Sequence, residues 1–175
     1  QYGKGFLGNR TASALGVTLS KKTEVSNGEF SPAEDCPRPS SCDIKVNLTT
    51  QRMSVVSASG VTLWEIPVQS GKLGKETRTG SGQLGPVEYG PGRNPRRQSI
   101  DYPEATLVNP RGFGNGGQKI HGSDYFSANA TNKANTGSAG CVRVSNDNSF
   151  VIAKLPSGTD VIITGAKPGT QQRYF

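Results

Sequence analysis

Histidine is nearly absent from this 175-residue chain: His121 is the only one. There are three cysteines, Cys36, Cys42 and Cys141, one tryptophan and one methionine. A single imidazole and a distant thiol do not make a zinc pattern, so no metal site is expected. Aromatic residues are 7% of the chain and do not alternate with the basic ones. That argues against a stacking platform for nucleic acid, and no nucleic-acid motif is present. No apolar run approaches membrane-spanning length, so no membrane span is expected. The chain begins at Gln1 without an apolar signal segment, and the expectation is that a leader has been removed. Hydrophobic residues are only 32% of the total, which is low for a helical bundle.

What is abundant points the other way. The 23 glycines and 11 prolines suit short strands joined by many turns, a mainly β fold in one domain. Twenty Lys and Arg against 13 Asp and Glu give a net charge of +7, which favours an anionic partner. Period-two alternation marks Ile44, Val46 and Leu48 as a half-buried strand. Met53–Ala58 and Val61–Val68 read as the next two, with Trp64 expected in the core. Ile100–Val108 reads as a strand interrupted by Pro103, followed by a flexible glycine-rich link to Gly117. Ser145 or Asn146 starts a helix that Pro156 stops, with Phe150, Val151, Lys154 and Leu155 at helical spacing.

Residues 69–97 carry Lys72, Lys75, Arg78, Arg93, Arg96 and Arg97 against Glu76 and Glu88. This is either a solvated loop or a basic loop that attracts an anionic polymer. Residues 1–42 read as an extension wrapping the domain or as a small binding element, with an alternating run at Ala14–Leu19. Cys36 and Cys42 flank a turn-forming Pro-Arg-Pro-Ser-Ser loop, so a small disulfide is the favoured pairing over two separate thiols. Cys141 is then the odd thiol. The tail from Lys167 is polar and peripheral, with docking of Tyr174-Phe175 left open. Asn9, Asn47 and Asn129 each begin a glycosylation acceptor pattern, a signal frequent by chance.

The chemistry concentrates in residues 119–147. His121-Gly122 is followed, after a polar spacer, by Ser138-Ala139-Gly140-Cys141-Val142-Arg143. A thiol is a poor nucleophile until a histidine within reach takes its proton, and the imidazolium then holds the thiolate. Gly140 lets the backbone approach a substrate, and amides there suit an oxyanion hole. The pattern reads as acyl transfer through a thioester.

This stretch resembles the L,D-transpeptidase (YkuD-type) catalytic domain, whose pattern is His-Gly, a spacer, Ser/Thr-His-Gly-Cys, a hydrophobic residue and Arg. Ile44–Val56 resembles the family's opening hairpin. Val68–Lys72 and Thr77–Gly80 resemble a further family segment, and Val161–Thr164 its closing strand. The resemblance covers about residues 43–165, with one departure: the histidine before Gly-Cys is Ala139 here. It implies a β-sandwich or partly closed barrel with one or two short helices, spanning 43–166 between the 1–42 extension and a 167–175 tail. It also implies a peptidoglycan L,D-transpeptidase that needs no cofactor and works outside the cytoplasm as a monomer. Its partners would be stem peptides and an anionic wall polymer. Cys141 would be the nucleophile and His121 the base, with Gly122 orienting the imidazole through its carbonyl. Gly140 and Cys141 amides would form the oxyanion hole. Arg143 would position a substrate carboxylate or form an ion pair, and Ser138 would bond within the cleft or start the turn. An L,D-carboxypeptidase and an inactive wall-binding module are the competing readings.

Overall fold

The computed structural model describes residues 29–100, 102–114 and 116–175. The alternating run at Ala14–Leu19 and the Asn9 acceptor pattern lie outside them, as does most of the 1–42 extension. The chain is mainly β, and among the described residues its strands form two sheets with no closed barrel.

The first sheet begins with β1 (Cys42–Asn47), β2 (Arg52–Ser57) and β3 (Thr62–Pro67), an antiparallel meander. Alternation is clean in β1, where Ile44 and Val46 are buried while Lys45 and Asn47 face solvent, the pattern of a strand with one wet face. β4 (Arg78–Gln83), β9 (Asp160–Thr164) and β10 (Arg173–Tyr174) complete the strand order β10-β4-β9-β1-β2-β3. The second sheet runs β5 (Arg96–Gln98), β6 (Thr106–Gly112), β7 (Lys119–Gly122) and β8 (Val142–Val144). Ile44, Met53, Val55, Val161 and Ile163 of the first sheet share one core with Ile120, Val142 and Val144 of the second. Each such side chain contributes about 1.5–3 kcal/mol by leaving water.

Helix α1 (Pro32–Asp35) leads into the Cys36–Cys42 disulfide, the favoured pairing. Helix α2 (Asn146–Ala153) starts where the sequence placed it, with the Ser145 side chain accepting from the Asn148 amide at 3.2 Å. Its buried face differs from the expected one. Ser149, Ile152 and Leu155 turn inward while Phe150 remains 47% exposed, because α2 packs on β6 and β7 along the Ser149 side. Buried Arg111 terminates the helix, donating to the Ile152 and Leu155 carbonyls at 2.9 and 2.7 Å. The Leu155 carbonyl lies past the end of the helix, and the Ile152 carbonyl, which already accepts from the Leu155 amide at 3.1 Å, gains a second donor.

Four other expectations need correction. Residues 69–97 are not one loop: they contain β4 and the start of β5. The strand expected over Ile100–Val108 begins only at Thr106, since Tyr102 and Ala105 close a turn at 2.8 Å. It then runs on through Pro110 and Arg111 to Gly112, where a flexible link was expected. Trp64 does pack against the core but is only half-buried, stacking on Phe30 at 5.4 Å between ring centroids. The tail is not peripheral throughout. β10 pairs with β4, Phe175 lies edge-on to Phe113, and Lys167 is buried.

Candidate active site

Two adjacent parallel strands build the site. β7 and β8 register Ile120 opposite Val142 and His121 opposite Arg143. Ile120, Val142 and Val144 are fully buried in the core, which turns His121 and Arg143 to the other face. Cys141 lies in the bend that leads into β8, directly before Val142, which pairs with Ile120. The pairing of β7 with β8 thus brings the His121 strand beside the strand that Cys141 leads into.

His121 is 3% exposed, and its Nδ1 lies 2.8 Å from the Gly122 carbonyl. Because a carbonyl only accepts, Nδ1 carries the proton and Nε2 is left as the basic nitrogen. Burial lowers the imidazole to about 4. The Gly122 carbonyl opposes that shift, while Arg143 and Lys119 add to it. The ring is therefore neutral at physiological pH and able to take a proton. Gly122 also answers a packing demand. A Cβ there would sit 2.7 Å from Ser149 Oγ and 2.8 Å from Asn146 Oδ1, where the first turn of α2 presses on the histidine strand.

The turn carrying Cys141 is held by hydroxyls. Ser138 Oγ, buried, donates to the Cys141 carbonyl and accepts from the Gly140 amide at 3.0 Å. Ser138 thus braces the turn that carries Cys141. The Gly140 N–H, expected in the oxyanion hole, is spent on that hydroxyl in this conformation. Gly140 has φ of +121°, a region that favours glycine, and this is the backbone reason for its place before the cysteine. Ala139, in the position of the family's second histidine, is exposed at the turn.

Several contributors were not picked out from the sequence. Thr77 Oγ1 accepts from the Gly71 amide at 2.9 Å and donates to the Gly140 carbonyl at 2.8 Å. Gln69 exchanges both backbone bonds with Arg143 at 2.9 Å, which stitches the end of β3 to the second sheet. Gln118 packs over Gly140, accepting from the Arg78 amide at 3.0 Å. Thr77 lies in a segment quoted for the resemblance; no local pattern marked Gln118.

Arg143 forms no ion pair among the described residues. It donates from one terminal nitrogen to the Gly137 carbonyl at 3.1 Å, and its buried Nε meets no hydrogen-bond acceptor. Burial lowers the guanidinium below its ordinary range, an effect that Cys141 and Tyr125 oppose electrostatically. The arginine and the thiol are thus electrically coupled. The basic residues upstream are not equivalent. Arg96 pairs with Asp124 at 3.1 Å and Arg97 with Glu88 at 2.6 Å, while Lys119 also meets Glu88. Arg93 is exposed at a tight turn with φ of +59°.

The profile of the L,D-transpeptidase catalytic domain matches residues 43–163, well over half of the chain. The chain belongs to the L,D-transpeptidase (YkuD) catalytic-domain family. No curated protein sequence matches it. Its fold is similar to that of an L,D-transpeptidase from Stackebrandtia nassauensis, at 22% identity and a TM-score of 0.61, over 94% of this chain and 70% of that one. It is similar also to an L,D-transpeptidase from Mycobacterium smegmatis, at 20% identity and a TM-score of 0.58, over 71% of this chain and 59% of that one. A third similar structure is L,D-transpeptidase 3 from Mycobacterium tuberculosis in complex with a faropenem-derived adduct. It gives 14% identity and a TM-score of 0.55, over 71% of this chain and 60% of that one.

Proposed function

We propose that the chain is a peptidoglycan L,D-transpeptidase acting through Cys141 and His121, outside the cytoplasm. The observation that carries the reading is the neutral, buried imidazole pinned by the Gly122 carbonyl, on a strand paired with the one that directly follows the cysteine. His121 Nε2 takes the thiol proton. The Cys141 sulfur attacks the carbonyl that follows an L-centre in a donor stem peptide, giving a tetrahedral oxyanion. Its collapse breaks the amide bond. The imidazolium gives its proton to the departing D-residue amine, and a thioester remains. An amine of a second stem then attacks the thioester, His121 takes that amine's proton, and the Cys141 sulfur leaves. Arg143, coupled to the thiol, favours the thiolate and the anionic steps. A backbone amide at Cys141 is the remaining donor for the oxyanion, unless the Gly140 N–H leaves Ser138 when substrate binds.

One imidazole suffices for this sequence of proton transfers, so Ala139 removes no step from it. The basic surface around Arg93 suits an anionic wall polymer. The Mycobacterium tuberculosis relative carries a faropenem-derived adduct, and acylation of Cys141 by such β-lactams follows from the same chemistry. The test is incubation with purified disaccharide tetrapeptide and mass spectrometry of the products. A cross-linked dimer is the expected result. A tripeptide alone would make the protein a carboxypeptidase, and unchanged substrate would leave a wall-binding module.

A further inference from the structure

Lys167 follows the matched domain and lies in the segment expected to be a loose tail, yet it is 2% exposed. Lysine is seldom buried so fully without a carboxylate. Its ammonium donates to the Thr136 carbonyl at 2.5 Å, and no salt bridge to it is found among the described residues. A turn fixes its backbone: the Thr170 amide and hydroxyl both donate to the Lys167 carbonyl, at 3.0 and 2.8 Å. Thr136 and Gly137 begin the loop that ends in Cys141. On its other side the same loop is bound to residues 70–73. The Lys72 amide donates to the Ser138 carbonyl at 3.0 Å and the Ser138 amide to the Ser70 carbonyl at 3.2 Å. The loop is therefore gripped between the 70–73 segment and the Lys167 turn.

Two cations hold two successive carbonyls of this loop, Lys167 at Thr136 and Arg143 at Gly137. Each is destabilised by burial, and Arg143 lowers Lys167 further, to about 8. Lys167 is thus charged at neutral pH at a cost to folding. Glu76, which lines the same small cavity, is turned to other partners, Arg173 and the Gly74 amide. His121 is neutral and Lys119 is paired with Glu88, which leaves Arg143, beside Cys141 and Tyr125, and Lys167 as the cations that hold this loop.

We propose that Lys167 is a positioning residue for the nucleophile, fixing the 136–141 loop and adding to the positive field that favours the Cys141 thiolate. The inference rests on the cysteine acyl-transfer reading above, but its test needs no stem peptide. Alkylation of Cys141 by iodoacetamide is followed by intact mass across pH 5.5–9 in the full chain and in Lys167→Met, Lys167→Gln and Lys167→Arg. Lys167→Met is expected to react about ten-fold more slowly near pH 7, with the midpoint moved up by about one unit. Lys167→Gln keeps a donor for Thr136 without the charge and should show the same upward midpoint. Lys167→Arg should restore most of the rate. The melting temperature of the neutral variants should stay close to wild type, because the cost of burying the charge is gone, which offsets the hydrogen bond that Lys167→Met loses. An unchanged midpoint in both neutral variants would overturn the proposal. So would failure of both to fold, since the lysine would then be structural. A Lys167-dependent thiol in a protein inert toward stem peptides would leave this inference standing and remove the transpeptidase reading.

Discussion

Thr77 is the sharpest place to test how the nucleophile is held. Its hydroxyl lies between the Gly71 amide and the Gly140 carbonyl, and the residue is 2% exposed. Thr77→Val keeps the shape and removes both bonds, leaving a buried N–H and a buried C=O without that partner. Each such loss costs about 1–3 kcal/mol, so the variant should lose about 3 kcal/mol in total. For a chain of this length that is roughly a 6–12 °C fall in melting temperature. Thr77→Ser keeps the hydroxyl and gives up one methyl, about 1 kcal/mol. The two variants should separate further in chemistry. A Gly140 carbonyl released from Thr77 lets the Cys141 turn shift, and a misplaced nucleophile should slow acylation by about ten-fold or more. The assay is β-lactam adduct formation by intact mass, beside a thermal melt. Equal melting temperatures and equal adduct rates in the Val and Ser variants would refute the reasoning.

Cys141→Ser should abolish turnover and β-lactam adducts while leaving the melt unchanged, and product formation near the wild-type rate would remove the cysteine mechanism. His121 should make the fold acid-sensitive. The unfolded chain takes up this proton near 6.5 and the folded chain only near 4. The stability is therefore complete above about 6.5 and falls, by up to about 3 kcal/mol, as the pH drops towards 4. His121→Asn should flatten that part of a denaturant-midpoint profile over pH 4–7; an identical slope in both proteins would contradict the burial argument. Arg111→Met removes the donors that close α2 and should lower stability by about 3–5 kcal/mol, because several backbone carbonyls lose a charged partner together. A loss below about 1 kcal/mol would show that water replaces the guanidinium.

Much of this protein was legible from local pattern. Alternation at Ile44, Val46 and Leu48 located β1 because one face of that strand is dry and the other wet. Ser145 located the start of α2 because free amides at a helix end need a nearby side-chain oxygen. The lone histidine, the Gly-Cys turn and the Arg143 position together pointed to one chemistry, and their spacing pointed to the family. Local pattern failed where the partner is remote. Phe150 and Val151 sit at helical spacing with Lys154 and Leu155, yet which side of α2 is buried depends on how the helix lies over β6 and β7. The polar stretch over 78–83, with two glycines, has no apolar alternation, and β4 forms because β9 and β10 supply its backbone partners.

The sequence by itself determined the reactive groups: which residue carries the thiol, which the imidazole, and which glycine can take the turn before the cysteine. Tertiary structure alone decided how those groups are tuned. The tautomer of His121 follows from a carbonyl beside it, but its depressed basicity follows from burial between layers. The grip on Cys141 comes from Thr77, 64 positions away, and the Lys167 contact crosses 31 positions to Thr136. Hydrogen bonds and fields act over a few ångströms of space whatever the separation along the chain, so only the folded arrangement reveals them.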